Sequence, residues 1–316
     1  MTYGPFPKTV LAQQSVSLGI WPPLVELTIQ PEKSASVTYQ LTNNSSTELK
    51  ITPQIFSFEP EGALGEISLN TKGEVKDFFS FISGEKLNTP FVIGVGETKE
   101  ITLNIAIPRG TPEKDYYYTL LFSNSATEEN NTIPQTQSFS SVQLGTNLLL
   151  SVSRGCQPPL LGKIVNFSAP TVLDSFSNIN FNIVLENWGK TFWKPFGQIT
   201  LESLIKQKED IPLLQQNILS DSQRKLTIAP YRPKIPIGPF KARLQFSLNQ
   251  KGETLNSEII VWYFPFKLLA VIFIILLIWI TVRKIKHRSK SASFKEAPNL
   301  SQSVGKMGNH KKGPNQ

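Results

Sequence analysis

The chain has 316 residues, of which 40% are hydrophobic, 18% charged and 10% aromatic. That is globular composition, long enough for two ordinary domains and without a disorder signature. One cysteine, Cys156, and two histidines, His287 and His310 in the last thirty residues, exclude a disulfide framework, multi-cysteine metal sites and any Ser-His-Asp or Cys-His pair upstream. The formal net charge of +8 is not spread evenly: residues 1 to 282 carry 23 Lys and Arg against 23 Asp and Glu, whereas residues 283 to 316 carry 9 against 1. A basic tail, not a basic globule, gives the chain its charge, so no nucleic-acid partner is implied.

Residues 1 to 14 contain no apolar stretch of the length a signal peptide needs. Pro7 to Ala12, with Val10 and Ala12 at the −3 and −1 places before Gln13, nevertheless has the form of the end of one. We expect these residues to be the remnant of a leader.

From residue 15 onward the dominant apolar period is two. Val37, Tyr39 and Leu41 alternate with Thr38, Gln40 and Thr42, and Ile101, Leu103, Ile105 and Ile107 alternate with Thr102, Asn104 and Ala106. These are half-buried strands. Tyr116, Tyr118, Leu120 and Phe122 define another, in which Tyr117, Thr119 and Leu121 imply cover on the second face as well. Ile179 to Leu185 and Ala242 to Leu248 repeat the pattern. Breaks at Asn43 to Ser46, Pro60 to Gly62, Gly94 to Gly96, Pro108 to Gly110, Asn187 to Gly189 and Pro236 to Pro239 separate short strands with no convincing helix between them.

The expected fold class is all-β, as two sandwiches. The strongest internal break is Arg154 to Pro159, which divides a first domain over residues 15 to 155 from a second over 156 to 260. Tyr39 to Asn43 and Ile183 to Asn187 echo each other, each running an apolar strand into Leu-x-Asn and a polar turn.

Few residues suggest chemistry, and none implies a cofactor or a metal. Glu59, Glu61 and Glu66 read as a solvated acidic hairpin, with the paired carboxylates of a wall hydrolase as the alternative. No nucleotide-binding loop is present, and Gly94 to Glu97 lacks the third glycine of a dinucleotide fingerprint. Cys156, in the interdomain break, reads as incidental. Trp188, Phe192, Trp193 and Phe196 gather around one turn, either as an exposed platform for a ligand or as caps on the second core.

Leu268 to Val282 is free of charge. Counted from Val261, the apolar run reaches 22 residues, enough to span a bilayer as a helix if Lys267 snorkels, with Trp262, Tyr263 and Trp279 at the interfaces. Arg283, Lys284, Lys286 and Arg288 follow it, whereas Lys251 is the lone Lys or Arg in the twenty residues before Lys267. That asymmetry predicts a single-pass plasma-membrane protein with a cytoplasmic tail over residues 283 to 316 and both sandwiches outside.

Leu24 to Lys33, Val37 to Asn43, Gly96 to Pro108 and Asp115 to Tyr118 resemble the amino-terminal domain of WxL-interacting bacterial cell-surface proteins. Tyr117-Tyr118-Thr119 stands where that family usually has a glycine pair. The resemblance implies an immunoglobulin-like, peptidoglycan-binding domain, a second sandwich, one transmembrane helix and a basic tail. The function expected is then non-catalytic: a surface binder or scaffold whose partners are the bilayer and either cell-wall polymer or another surface protein. The alternative is a membrane-tethered strand-exchange chaperone for exported surface proteins.

Overall fold

The computed structural model describes residues 17–73, 75–124, 143–155, 159–204, 207–249 and 254–293. The expected leader, Cys156 and the tail beyond Ser293 lie outside the described residues.

The first half forms β1 (Leu18–Trp21), β2 (Leu24–Ile29), β3 (Ser34–Asn43), β4 (Leu49–Glu61), β5 (Glu66–Asn70), β6 (Phe79–Phe81), β7 (Phe91–Ile93), β8 (Thr98–Ala106), β9 (Asp115–Asn124) and β10 (Gln143–Val152). One sheet has the order β1-β3-β8-β6 and the other β2-β10-β9-β4-β5, with β7 also on β4. Alternation drives this arrangement. In β3, Tyr39 and Leu41 are fully buried while Thr38 and Gln40 face solvent, and in β8 Ile101, Leu103 and Ile105 are all fully buried. They meet Ile51, Leu120, Phe122, Leu148 and Leu150 of the facing sheet in one core.

The second half forms β11 (Gly162–Ser168), β12 (Val172–Asp174), β13 (Asn182–Asn187), β14 (Phe196–Ser203), β15 (Lys208–Pro212), β16 (Ser222–Lys225), β17 (Gly238–Ser247) and β18 (Thr254–Phe264), followed by α1 (Phe266–Ser293). Its sheets run β11-β13-β16 and β12-β18-β17-β14-β15 around a separate core of Ile183, Leu185, Ile199, Phe240, Leu244 and Tyr263. The two halves share one strand order: β11, β13 and β16 correspond to β1, β3 and β8, and β12-β18-β17-β14-β15 to β2-β10-β9-β4-β5. In each, a short early strand crosses over to lie parallel to the last strand, β2 on β10 and β12 on β18.

The echo seen in the sequence falls at equivalent places, the ends of β3 and β13. Asn43 is fully buried; its Nδ2 donates to the carbonyls of Thr47, Ile93 and Gly94, and its Oδ1 accepts the Ser45 amide. Asn187, also fully buried, repeats this with Thr191 O, Ile218 O and the Gly189 amide. A short side chain carrying two donors and an acceptor is what a turn with inward-facing backbone groups requires.

The helix begins later than the apolar run suggested. Val261 to Phe264 complete β18, with Val261 and Tyr263 buried and Ile260, Trp262 and Phe264 facing out. Pro265, which lacks an amide for the sheet ladder, separates strand from helix. The apolar part of α1, Phe266–Lys286, has 21 residues, a mean hydropathy of 2.5 and no burial. At about 1.5 Å per residue it rises about 31 Å, matching the ~30 Å hydrocarbon core. It is thus long and apolar enough to cross a membrane.

Replacing either buried asparagine by alanine strands several buried backbone groups. Asn43→Ala and Asn187→Ala should each cost about 2 to 4 kcal/mol, measured by urea denaturation of the full chain in detergent. A change within experimental error at either position would contradict the shared role.

Candidate functional site

The two sandwiches do not simply follow one another along the chain. The first part of β9, Asp115 to Leu120, is buried on both faces, and at Asp115 and Tyr117 the outer face meets the second sandwich. Phe58, Tyr117 and Leu149 of the first half and Leu219 of the second form a small apolar cluster of their own, with Phe192 and Ile67 packed against it. The Tyr117 ring stacks on that of Phe58, with centroids 5.6 Å apart.

A buried carboxylate lies at the centre of this junction. Asp115 is 7% exposed, and its Oδ2 accepts the Tyr117 hydroxyl at 2.7 Å and the Phe192 amide at 2.5 Å. The Asp115 amide donates to Lys190 O at 3.0 Å. With its proton committed to Asp115, the Tyr117 oxygen accepts the Ser220 amide at 2.8 Å and lies 3.0 Å from the Ser220 hydroxyl. Burial pushes the Asp115 carboxyl above the usual aspartate range, although Tyr117, Phe192 and Ser151 all favour its charge. Burial, with the Asp115 charge beside it, also pushes the Tyr117 phenol upward, so it remains a donor at all physiological pH.

Polar ties surround this centre. Glu26 accepts Lys194 Nζ and Asn217 Nδ2, each at 2.6 Å. The turn of the β4–β5 hairpin reaches the free edge of β16, where the Lys225 amide donates to Ala63 O at 2.6 Å. Gly65 in that turn has φ of +87°, and the Arg224 guanidinium lies where its Cβ would be, 2.5 Å away. The positive φ favours glycine there; the Arg224 guanidinium, the end of a flexible side chain, could shift to admit a Cβ.

Beside the junction the sheet splays. The β4–β9 pairing stops at Ser57 opposite Tyr118, although β9 continues back to Asp115, paired only with β10, and β4 continues on to Glu61, paired only with β5. A cleft of 610 Å³ opens there, with Ser57 to Pro60 on one side, Pro112 to Tyr118 on the other and Lys190, Ser220 and Asp221 closing it from the second sandwich. The two strands are thus not paired with each other across the gap, although the Asp115 amide on the β9 side is taken by Lys190 O. Charged side chains of both signs ring it: Glu59, Glu113, Lys114, Lys190 and Asp221.

The four aromatics singled out from sequence do not share a surface. Trp193 is 3% exposed, stacks on Phe246 and donates its indole N–H to Leu161 O, inside the second core. Phe192 packs in the junction, and Phe196, half-buried, opens β14. Trp188 alone stays out, 57% exposed in the turn two residues before Lys190. Glu59, Glu61 and Glu66 belong to the β4–β5 hairpin, with Glu61 opposite Glu66. Of the expected membrane-interface residues, Tyr263 lies instead in the second core, where it packs edge-on against Phe240 and donates to Ser177 O. Trp262 is half-exposed on the last strand, Lys267 is in the first turn of α1, and Trp279, with the Arg283 guanidinium 5.0 Å from its ring centroid, lies near the far end of the apolar stretch. Lys284, Lys286 and Arg288 follow on the same helix. Asp115 and Tyr117 were not singled out as site residues; the one hint was the tyrosine-rich strand with cover expected on both faces.

No protein-family model and no curated protein matches the chain. Solved structures do. They include the class 5 fimbriae chaperone CfaA, at 14% identity over 77% of this chain and 98% of that one, with a TM-score of 0.40. The SafA pilin–SafB chaperone complex of Salmonella enterica matches at 8% identity over 78% and 99%, with a TM-score of 0.39. The CsuC–CsuE chaperone–tip adhesin complex of Acinetobacter baumannii matches at 14% over 78% and 99%, with a TM-score of 0.37. The membership of the WxL-interacting family inferred from the sequence is not upheld: no family model matches the chain, and the solved structures it resembles include fimbrial chaperones instead. The short motifs behind that resemblance are strand-and-turn patterns that many sandwiches share.

The raised carboxyl sets the sign of a pH effect. A group whose folded pKa is raised contributes most below its unfolded value, about 4 for aspartate, and that contribution is lost as pH climbs through the folded value. Asp115→Asn should therefore gain stability relative to the unmodified chain between pH 4 and pH 7, seen as diverging urea midpoints; a constant gap would contradict the burial argument. Tyr117→Phe, which leaves the buried carboxylate without its hydroxyl donor, should cost about 1 to 3 kcal/mol at pH 7.

Proposed function

We propose that the chain is a membrane-tethered, non-catalytic holder of extended polypeptide, acting on other proteins exported to the cell surface. The observation that carries this reading is the splayed sheet: β4 beyond Ser57 and β9 before Tyr118 face each other across the 610 Å³ cleft with backbone edges that no strand of the chain pairs, the Asp115 amide alone being taken by Lys190 O. An unpaired edge is a template for an added strand, whose main-chain bonds supply affinity with little dependence on sequence. Polar groups of both signs around the cleft suit a peptide segment better than an apolar small molecule.

In this reading each half is an immunoglobulin-like module, the first over residues 15 to 155 and the second over 156 to 260. The second acts as a stalk. Its strand β18 spans 11 residues between the junction end and the helix, a length of about 36 Å at about 3.3 Å per residue, which holds the cleft away from the bilayer. α1 anchors the chain, and the Arg283, Lys284 and Lys286 cluster that follows keeps its end cytoplasmic. Trp188, exposed two residues before the cleft-lining Lys190, is the aromatic anchor in this reading.

Photo-crosslinking in cells tests this. A crosslinking amino acid at Lys190 or Glu59 should capture exported surface polypeptides, and Trp188→Ala should reduce the yield several-fold. Absence of protein adducts at both sites, with co-sedimentation of the chain with isolated wall sacculi, would replace this reading with wall binding.

A further inference from the structure

The end of the second sandwich nearest the helix differs from the rest of the molecule's surface. Along the outward face of β18 the residues are Thr254, Asn256 and Glu258, and then, approaching the helix, Ile260, Trp262 and Phe264. The last three are 58%, 50% and 47% exposed. The register places Val172 of β12, 52% exposed, beside Trp262.

The loops at this end follow the same rule. Strand pairing puts Asp174, Ser203 and Gly238 level with the last turns of β18, so the β12–β13, β14–β15 and β16–β17 connections all emerge there. Each carries an exposed large apolar residue: Phe176 at 56%, Leu204 at 80% and Ile237 at 64%. Four separate chain segments thus present apolar side chains at one end, where a soluble domain would place polar ones. Exposed Arg232, Lys234 and Lys267 lie among them.

The sandwich is also fixed to the helix. Pro265 is the single residue between β18 and α1. Asp174, at the end of β12, accepts the Lys267 amide at 3.0 Å with one carboxylate oxygen and the Phe176 amide at 3.0 Å with the other. It serves as an N-cap supplied from a different strand, satisfying an amide that the first helical turn leaves free. The Ser175 amide bonds Phe264 O, tying the same loop to the end of the strand. A helix so held cannot swing freely under its domain.

We propose that this apolar collar is a lipid-binding surface, seated in the interfacial region of the bilayer that α1 crosses, with Asp174 setting the angle between sandwich and helix. The occupant follows from continuity: the collar adjoins the first turn of a stretch that is itself apolar enough to lie in lipid. Aromatic groups among aliphatic ones match the interfacial belt in which Trp and Tyr gather at the edge of the hydrocarbon. The proposal rests on the membrane-spanning reading of α1.

The test uses the full chain with Cys156→Ser and one new cysteine, at Val172, Ile237, Val95 or Ile274, carrying an environment-sensitive fluorophore. The protein is reconstituted in vesicles of phosphatidylglycerol and phosphatidylethanolamine that contain brominated lipid. Labels at Val172 and Ile237 should be quenched several-fold more than the label at Val95, an exposed residue at the far end of the first sandwich, and Ile274 should be quenched by deeply placed bromine. Asp174→Ala should lower quenching at Val172 and Ile237 and leave that at Ile274 unchanged. Collar labels quenched no more than Val95, with Ile274 still quenched, would overturn the collar and leave the anchor standing. Loss of quenching at Ile274 would overturn the spanning reading and the collar with it.

Discussion

The junction depends on one buried carboxylate. Asp115 binds the Phe192 amide across the domain boundary, receives the Tyr117 hydroxyl from its own strand, and through Tyr117 reaches Ser220. A carboxylate nearly out of water is costly unless its oxygens are satisfied. Here Oδ2 takes donors from both sandwiches, Tyr117 from the first and Phe192 from the second, while Oδ1 is buried without a hydrogen-bond partner, which is why burial still pushes the carboxyl up in the docked pair. That coupling makes two modules behave as one body. It also fixes Lys190 and Ser220 opposite β4 and β9, which is what gives the cleft its second wall.

The same topology occurs twice, and the differences between the copies match their positions. The first carries two extra strands, β6 and β7, and a strand β9 whose first part is buried on both faces and meets the second sandwich at Asp115 and Tyr117. The second has a shorter inner sheet and sends its last strand directly into the helix. Asn43 and Asn187 perform the same task in both, closing a turn at the end of the equivalent strand.

Period-two alternation was enough to find β3, β8, β9, β13 and β17, because each has one face against a core and the other against solvent or a neighbour. The Leu-x-Asn echo was visible for a related reason: a buried asparagine is tied to its turn by contacts only a few residues away. Where the helix began was misread because Val261 to Phe264 are apolar on both faces, one turned to the core and the other to the collar. Composition does not separate those two environments, although Pro265 marks the change. The aromatic turn left two readings open for a similar reason, since spacing around a turn does not say that Trp193 points inward while Trp188 points out. Asp115 meets Phe192 across 77 positions, and no local pattern reports a contact of that range.

The central claim, that the sandwiches form one rigid body around the cleft, is tested most directly by the distance between them. Spin labels on the exposed positions Ser36 of β3 and Lys241 of β17, read by double electron–electron resonance on the full chain in detergent, should give one narrow distance distribution. A broad or two-peaked distribution would contradict the account, since a mobile junction would neither bury Asp115 nor hold the cleft open.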